Sequence, residues 1–147
     1  MAQPGPGVRP HLVVSSVSAF VDFVVAAFGA KEVHERVSMP GDPRVMHTEV
    51  EIGGSLFYLS DDFPEFTGGK HRNPKAVGSV PMVLHHSVEN CDAAVERAVA
   101  AGAKVLMPPQ DQFWGDRYAL VEDPCGYQWS FGQKLSSPPP PAPWAGA

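Results

Sequence analysis

Two histidines, His11 and His85, stand 74 positions apart, each inside a short apolar run, HLVV and MVLHH. Between them lies His47–Tyr58, read HTEVEIGGSLFY, which carries an imidazole, carboxylates and a phenol on alternating positions. Imidazoles exchange protons near neutral pH and ligate metals. A carboxylate such as Glu49 beside a phenol such as Tyr58 can take a proton and hold the product by a hydrogen bond. Two imidazoles with one carboxylate, here His11, His85 and Glu49, suit a divalent iron, manganese or zinc ion, with His47 as a substitute ligand. The segment DQFWGDR, Asp111–Arg117, adds Gln112, Trp114, Asp116 and Arg117. An indole can cover a site, and a guanidinium can clamp an anion with its fork of donors.

The elements that must position these groups occur twice. Val14-Ser15-Ser16, Val21-Asp22-Phe23 and Gly29-Ala30-Lys31 are echoed 73 to 74 residues later by Val88-Glu89-Asn90, Val95-Glu96-Arg97 and Gly102-Ala103-Lys104. Gly41-Asp42 with Arg44 is echoed by Gly115-Asp116-Arg117, and Gly53-Gly54 by Cys125-Gly126. One long period within 147 residues means two copies of one supersecondary unit. A saddle between two such units is where a small ligand is expected to bind.

Each unit reads strand, helix, strand, strand, strand. In the first, residues 11–15 form a strand and Ser16 or Ser18 caps a helix to about Phe28. Phe20, Val21, Val24 and Ala27 share a side of that helix, and Gly29 ends it. A strand over 32–38 follows, then a hairpin of 44–52 with 55–61 across Gly53-Gly54. In the second unit, 81–88 is a strand, Asn90 caps a helix to Ala101, and Gly102 stops it. Strands at 104–107, 117–122 and 127–132 complete it, the last two joined across Cys125-Gly126. The expected organisation is a loose tail over 1–8, one domain over 9–135 and a Pro-rich tail over 136–147. Within the domain, module one spans 9–61, an irregular linker 62–80 and module two 81–133.

Strand alternation assigns faces. In the first hairpin Thr48, Val50, Ile52, Phe57 and Leu59 make an apolar face for the helices. The other face carries His47 with Ser60, Glu49 with Tyr58 and Glu51 with Leu56. In the second hairpin the same reasoning turns Leu120, Trp129 and Phe131 to the helices, and Ala119, Val121, Gln128 and Ser130 to the opposite face.

Composition narrows the function. A net charge of −5, with 11 Lys and Arg residues and no basic stripe, argues against nucleic acid. No apolar run approaches the about 18–20 residues of a membrane span, and no positive-then-apolar leader is present, so a cytoplasmic protein is expected. Cys91 and Cys125 lack CxxC spacing and read as reduced, structural thiols.

The paired units, with VDFVVAAFGA over Val21–Ala30 and the EDPCGY turn, resemble the vicinal oxygen chelate superfamily of glyoxalases, bleomycin-binding proteins and dioxygenases. MHTEVEIGGSLFYLSDDFPE, DQFWGDRYALVEDPCGYQWSF and RPHLVV are similar to its PhnB-like branch. The resemblance implies an α+β fold of two βαβββ modules forming a cup-shaped mixed sheet, helices on the convex face, and in many members a dimer. It also implies that His11 and His85 point into the cup.

Metal-dependent members draw ligands from the first and fourth strand of each module. Those positions hold Arg9, Tyr58, Val83 and Ser130, which offer no set of three or four good donors. The leading expectation is therefore a homodimeric protein binding a small metabolite or drug with no metal cofactor. Its ligand groups would be His11, His47, Tyr58, His85, Gln112, Trp114, Arg117 and Ser130. The rival is an isomerase, lyase or dioxygenase with a displaced His11/Glu49/His85 metal site, or a metal-free epimerase with Glu49 as base beside Tyr58.

Overall fold

The first helix begins where Ser16 turns the chain. Its side chain accepts the Ala19 N–H, and Gly29 closes the helix at φ +66° with its N–H on the carbonyls of Val24 and Val25. Between them α1, Val17–Phe28, buries Phe20, Val21, Phe23, Val24 and Ala27 along one stripe. The structure is a computed structural model describing residues 5–146. It contains β1 (His11–Val14), α1, β2 (Lys31–Glu32), β3 (Thr48–Ile52), β4 (Ser55–Asp61), α2 (Pro74–Val77), β5 (Leu84–Ser87), α3 (Cys91–Ala100), β6 (Lys104–Asp111), β7 (Asp116–Glu122) and β8 (Gln128–Lys134).

The strands form two four-stranded sheets of matching order, β1-β4-β3-β2 and β5-β8-β7-β6. In each, the outer pair β1/β4 or β5/β8 is parallel and the remaining pairs are antiparallel. This is the expected α+β duplication of a βαβββ module.

The first hairpin has the expected register, with Ile52 opposite Ser55, Val50 opposite Phe57 and Glu49 opposite Tyr58. The second does not. Ala119 pairs with Phe131 and Val121 with Trp129, all four buried on the helix side. Leu120, opposite Ser130, lies on the other face. The expected faces of Leu120, Ala119 and Val121 are thus exchanged. The cause is the connection: Asp123 holds a five-residue loop by accepting the N–H groups of Cys125 and Tyr127, so no two-residue turn sets the parity.

Other boundaries moved for local reasons. The strand expected over 32–38 stops at Glu32, because the chain leaves the ladder after Val33 N–H meets the Glu49 carbonyl and returns only at the Val37–His47 bridge. The strand expected at 104–107 runs on to Asp111 through two register shifts, and that expected over 81–88 is limited to 84–87. Ala101 rather than Gly102 caps α3. The linker holds a 3-10 turn, Pro64–Phe66, and α2, so it is less irregular than its glycines and prolines suggest.

The two sheets meet through their helix-bearing faces. Phe28 at the end of α1 packs on Trp129, Phe131 and His86, and Phe57 lies 6.2 Å from Trp129 between ring centres. Phe57 and Trp129 each sit one strand in from the edges β1 and β5. Edge-to-edge sheets would hold them three strand spacings, about 14 Å, apart. The Tyr127 hydroxyl also donates to the Val13 carbonyl at 2.8 Å, and α1 packs on α3. The space between the modules is therefore largely an apolar core, with a cavity of about 280 Å³ between Ile52, Gly53 and Phe57 of the first module and Leu84, His86 and Trp129 of the second.

Candidate functional site

The face of each sheet turned away from this shared core carries the chemistry. On the first sheet, adjacent strands set His11 beside Tyr58 and Tyr58 beside Glu49 in register. His11 Nε2 lies 3.0 Å from Ser60 Oγ. Its pKa is held below the ordinary value by burial first, then by the charges of Arg72 and His47. Glu49 is only 8% exposed, and its Oε1 lies 3.7 Å from His47 Nε2. The His47 ring stands perpendicular to Tyr58 on one side and nearly perpendicular to His34 on the other, at 4.9 and 5.0 Å between centres. One ring nitrogen from each of His34 and His47 and one oxygen of Glu49 lie within 4.8 Å of one another.

His34 was not anticipated. A regular strand over 32–38 would have continued the ladder past it, whereas the interruption after Val33 frees its side chain. Thr48 Oγ1, 3.0 Å from the His34 carbonyl oxygen and 2.7 Å from Glu32 Oε2, satisfies the backbone there instead of a ladder bond. Such irregularities re-aim side chains next to sites. The only hint in the sequence is the polar VHER run inside an expected strand.

The second sheet carries a separate set. His85 Nδ1 lies 2.7 Å from Ser130 Oγ, and its ring stacks over Tyr118. The ring also lies over Gly132, where an added Cβ would come within 2.8 Å of it. Trp114 meets Tyr118 edge-on and Phe113, and Phe113 in turn meets Trp144 from the tail expected to be loose. Trp144 is nevertheless 67% exposed. Gln112 supports the turn through its backbone, whose carbonyl accepts from Gly115.

Arg117 is committed elsewhere, to Asp92 at 2.7 Å and Asp111 at 2.9 Å. Arg44 is likewise engaged, by Asp42 and by Glu65 of the linker, so the arginine of each copy is held in ion pairs, but only in the first by the aspartate of its own motif. No hydrogen bond or ring contact joins the His11 set to the His85 set among the described residues. The expected convergence of His11 and His85 on one point is not found, because back-to-back sheets turn the two faces apart. Among the described residues of one chain, the three-donor cluster found is His34, His47 and Glu49, and it includes neither His11 nor His85.

The transferred metal positions also lack donor chemistry. Arg9 spends its guanidinium on the carbonyls of Gly5 and Val8, Val83 is apolar, and the Ser130 hydroxyl is engaged by His85. Buried Cys91 and Cys125 are free thiols, and burial foremost raises both, Cys125 to about 11. They have the character of core residues.

A pair of βαβββ modules with polar outer faces defines a class, and sequence comparison agrees. Residues 8–131 match the Glyoxalase/Bleomycin resistance protein/Dioxygenase superfamily, and the chain belongs to it. It is 43% identical over 130 residues to an uncharacterized protein of Mycobacterium bovis, covering 88% of this chain and 84% of the relative. Among solved structures it is similar to TioX from Micromonospora sp. ML1, at TM-score 0.61 and 26% identity over 90% of this chain and 98% of that one. A gene product of Arabidopsis thaliana gives TM-score 0.67 and 25% identity, over 88% and 100%. No described helix is long and apolar enough to cross a membrane.

Proposed function

We propose that this protein binds a small polar or aromatic metabolite or drug against the outer face of its first sheet, as a member of the PhnB-like branch. The observation that carries this reading is Glu49. A carboxylate nine-tenths buried beside Tyr58 in register, with His47 at 3.7 Å and His11 on the strand beyond Tyr58, is a recognition group held ready for hydrogen bonding. Desolvating such a group without use would destabilise the fold.

The same geometry supports a homodimer. Each outer face is a half-cup, and the second sheet's side exposes Val83, Leu106, Met107 and Trp114. A second copy laying its other module over each face would cover them and enclose the ligand. Native mass spectrometry of the untagged chain tests both parts: a dimer carrying added mass that Glu49→Gln and Tyr58→Phe lose is the expected result. A monomer with no retained mass, and no thermal shift from a library of aromatic acids and amines at millimolar concentration, would overturn the reading.

Burial of Glu49 also favours a second reading, in which it serves as a general base with Tyr58 holding the developing oxyanion. Bound ligand would then exchange a carbon-bound hydrogen for solvent deuterium, and Glu49→Gln would stop the exchange while retaining the ligand.

A further inference from the structure

We propose that His34, His47 and Glu49 form a site for a borderline divalent transition-metal ion of the zinc type, displaced from the first- and fourth-strand positions onto the β2–β3 side of the first sheet. The three donor atoms lie within 4.8 Å of one another. Two ligands on one tetrahedral ion with bonds of about 2.0–2.1 Å stand roughly 3.3 Å apart. His47 Nε2 and Glu49 Oε1 are already at 3.7 Å, so small rotations of the imidazoles close the set.

Two further observations point to a ligand. His34 Nδ1 lies 2.6 Å from the Glu35 carbonyl oxygen. A carbonyl only accepts, so Nδ1 holds the proton and Nε2 keeps its lone pair. Metal-binding histidines are commonly oriented in this way. The Glu49 carboxylate is nine-tenths buried, and its ion-pair partner among the described residues is His47 at 3.7 Å, beyond hydrogen-bond length. Asp61, Asp62 and Asp123, the other enclosed carboxylates, each accept from two or more N–H groups. The Glu49 side chain accepts no hydrogen bond from the described residues and turns an oxygen toward the two imidazoles, as a metal ligand would. Two histidines and one carboxylate leave at least one coordination position for water or a ligand oxygen. The ion's presence does not depend on which molecule the face holds, so this proposal and the binding reading fail separately.

The test uses the untagged full chain, stripped with chelator and titrated with Co²⁺ alone, followed by visible absorption, and with Zn²⁺ against a chromogenic competitor. The expected result is one ion per chain. His34→Ala, His47→Ala and Glu49→Gln should each weaken binding by more than the roughly tenfold seen for outer partners. His71→Ala, at an exposed histidine beside Asp62, should leave it unchanged. Far-ultraviolet circular dichroism checks folding, and should Glu49→Gln unfold, His34→Ala at the rim decides. Absence of a one-to-one Co²⁺ or Zn²⁺ complex in the folded wild type, or equal affinity in folded His34→Ala, would overturn the proposal.

Discussion

His86 shows how much one side chain's face matters. Its neighbour His85 points outward to Ser130, while His86 turns inward against Phe28 and Phe131, with Nδ1 buried and unpartnered. Burial, and then the charge of His85, hold its pKa below the ordinary value. Between the folded and the unfolded value the unfolded chain binds more protons, so stability falls as pH drops below about 6.5. His11 contributes in the same direction. His86→Leu removes one such group and the orphaned nitrogen together. Urea midpoints measured from pH 7.5 to 5 should decline less steeply in the variant, with stability at pH 7 unchanged or higher. Equal slopes would show that His86 is not the titrating group. Asp123 is the opposite case: burial raises its pKa, while the Trp129 indole and two backbone N–H groups hold it in place. Asp123→Ala strands three donors and should destabilise by at least about 3 kcal/mol in equilibrium denaturation, since each unpaired buried group costs about 1–3 kcal/mol.

At the scale of the element, each helix is tied to the far end of its own sheet. Asp61, the last residue of β4, accepts the Val17 N–H at 2.8 Å and the Val45 N–H at 2.7 Å. Gln133, near the end of β8, accepts the Cys91 N–H at 2.8 Å. Helix N-termini favour such acceptors because their first N–H groups have no partner within the helix. Asp61→Ala should therefore cost more than Gln133→Ala, about 2 against about 1 kcal/mol, because two donors and a charge are lost. The caps Ser16 and Asn90 were legible because capping depends on residue type and a three-residue spacing. Asp61 and Gln133 were not, since their partners are set by how helix and sheet dock.

For the whole molecule, the decisive contact is the apolar layer between the modules. Trp129, 2% exposed, touches Phe28 and Phe57 from the other half, and Trp129→Ala should cost about 3–5 kcal/mol and loosen one module from the other. Hydrogen exchange would show the loss of protection reaching α1 as well as α3. Under the dimeric reading proposed above, back-to-back packing leaves each polar face to be closed by a second copy. Dilution should then weaken ligand retention together with dimer population, which sedimentation at falling concentration would measure.

The duplication, the caps, the first hairpin's register and the polar set Glu49, Tyr58 and His11 were determined by the chain itself, because each rests on local spacing or on the two-residue period of a strand. The faces of Leu120 and Val121 escaped that logic, since a five-residue loop held by Asp123 shifts parity by hydrogen bonds no spacing reveals. That His11 and His85 join no common donor cluster among the described residues of one chain, and that His34 gathers with His47 and Glu49, were decided only by tertiary structure. One depends on which sheet faces the two modules bury against each other, the other on where a strand breaks off, and both are settled by packing between residues distant in the chain.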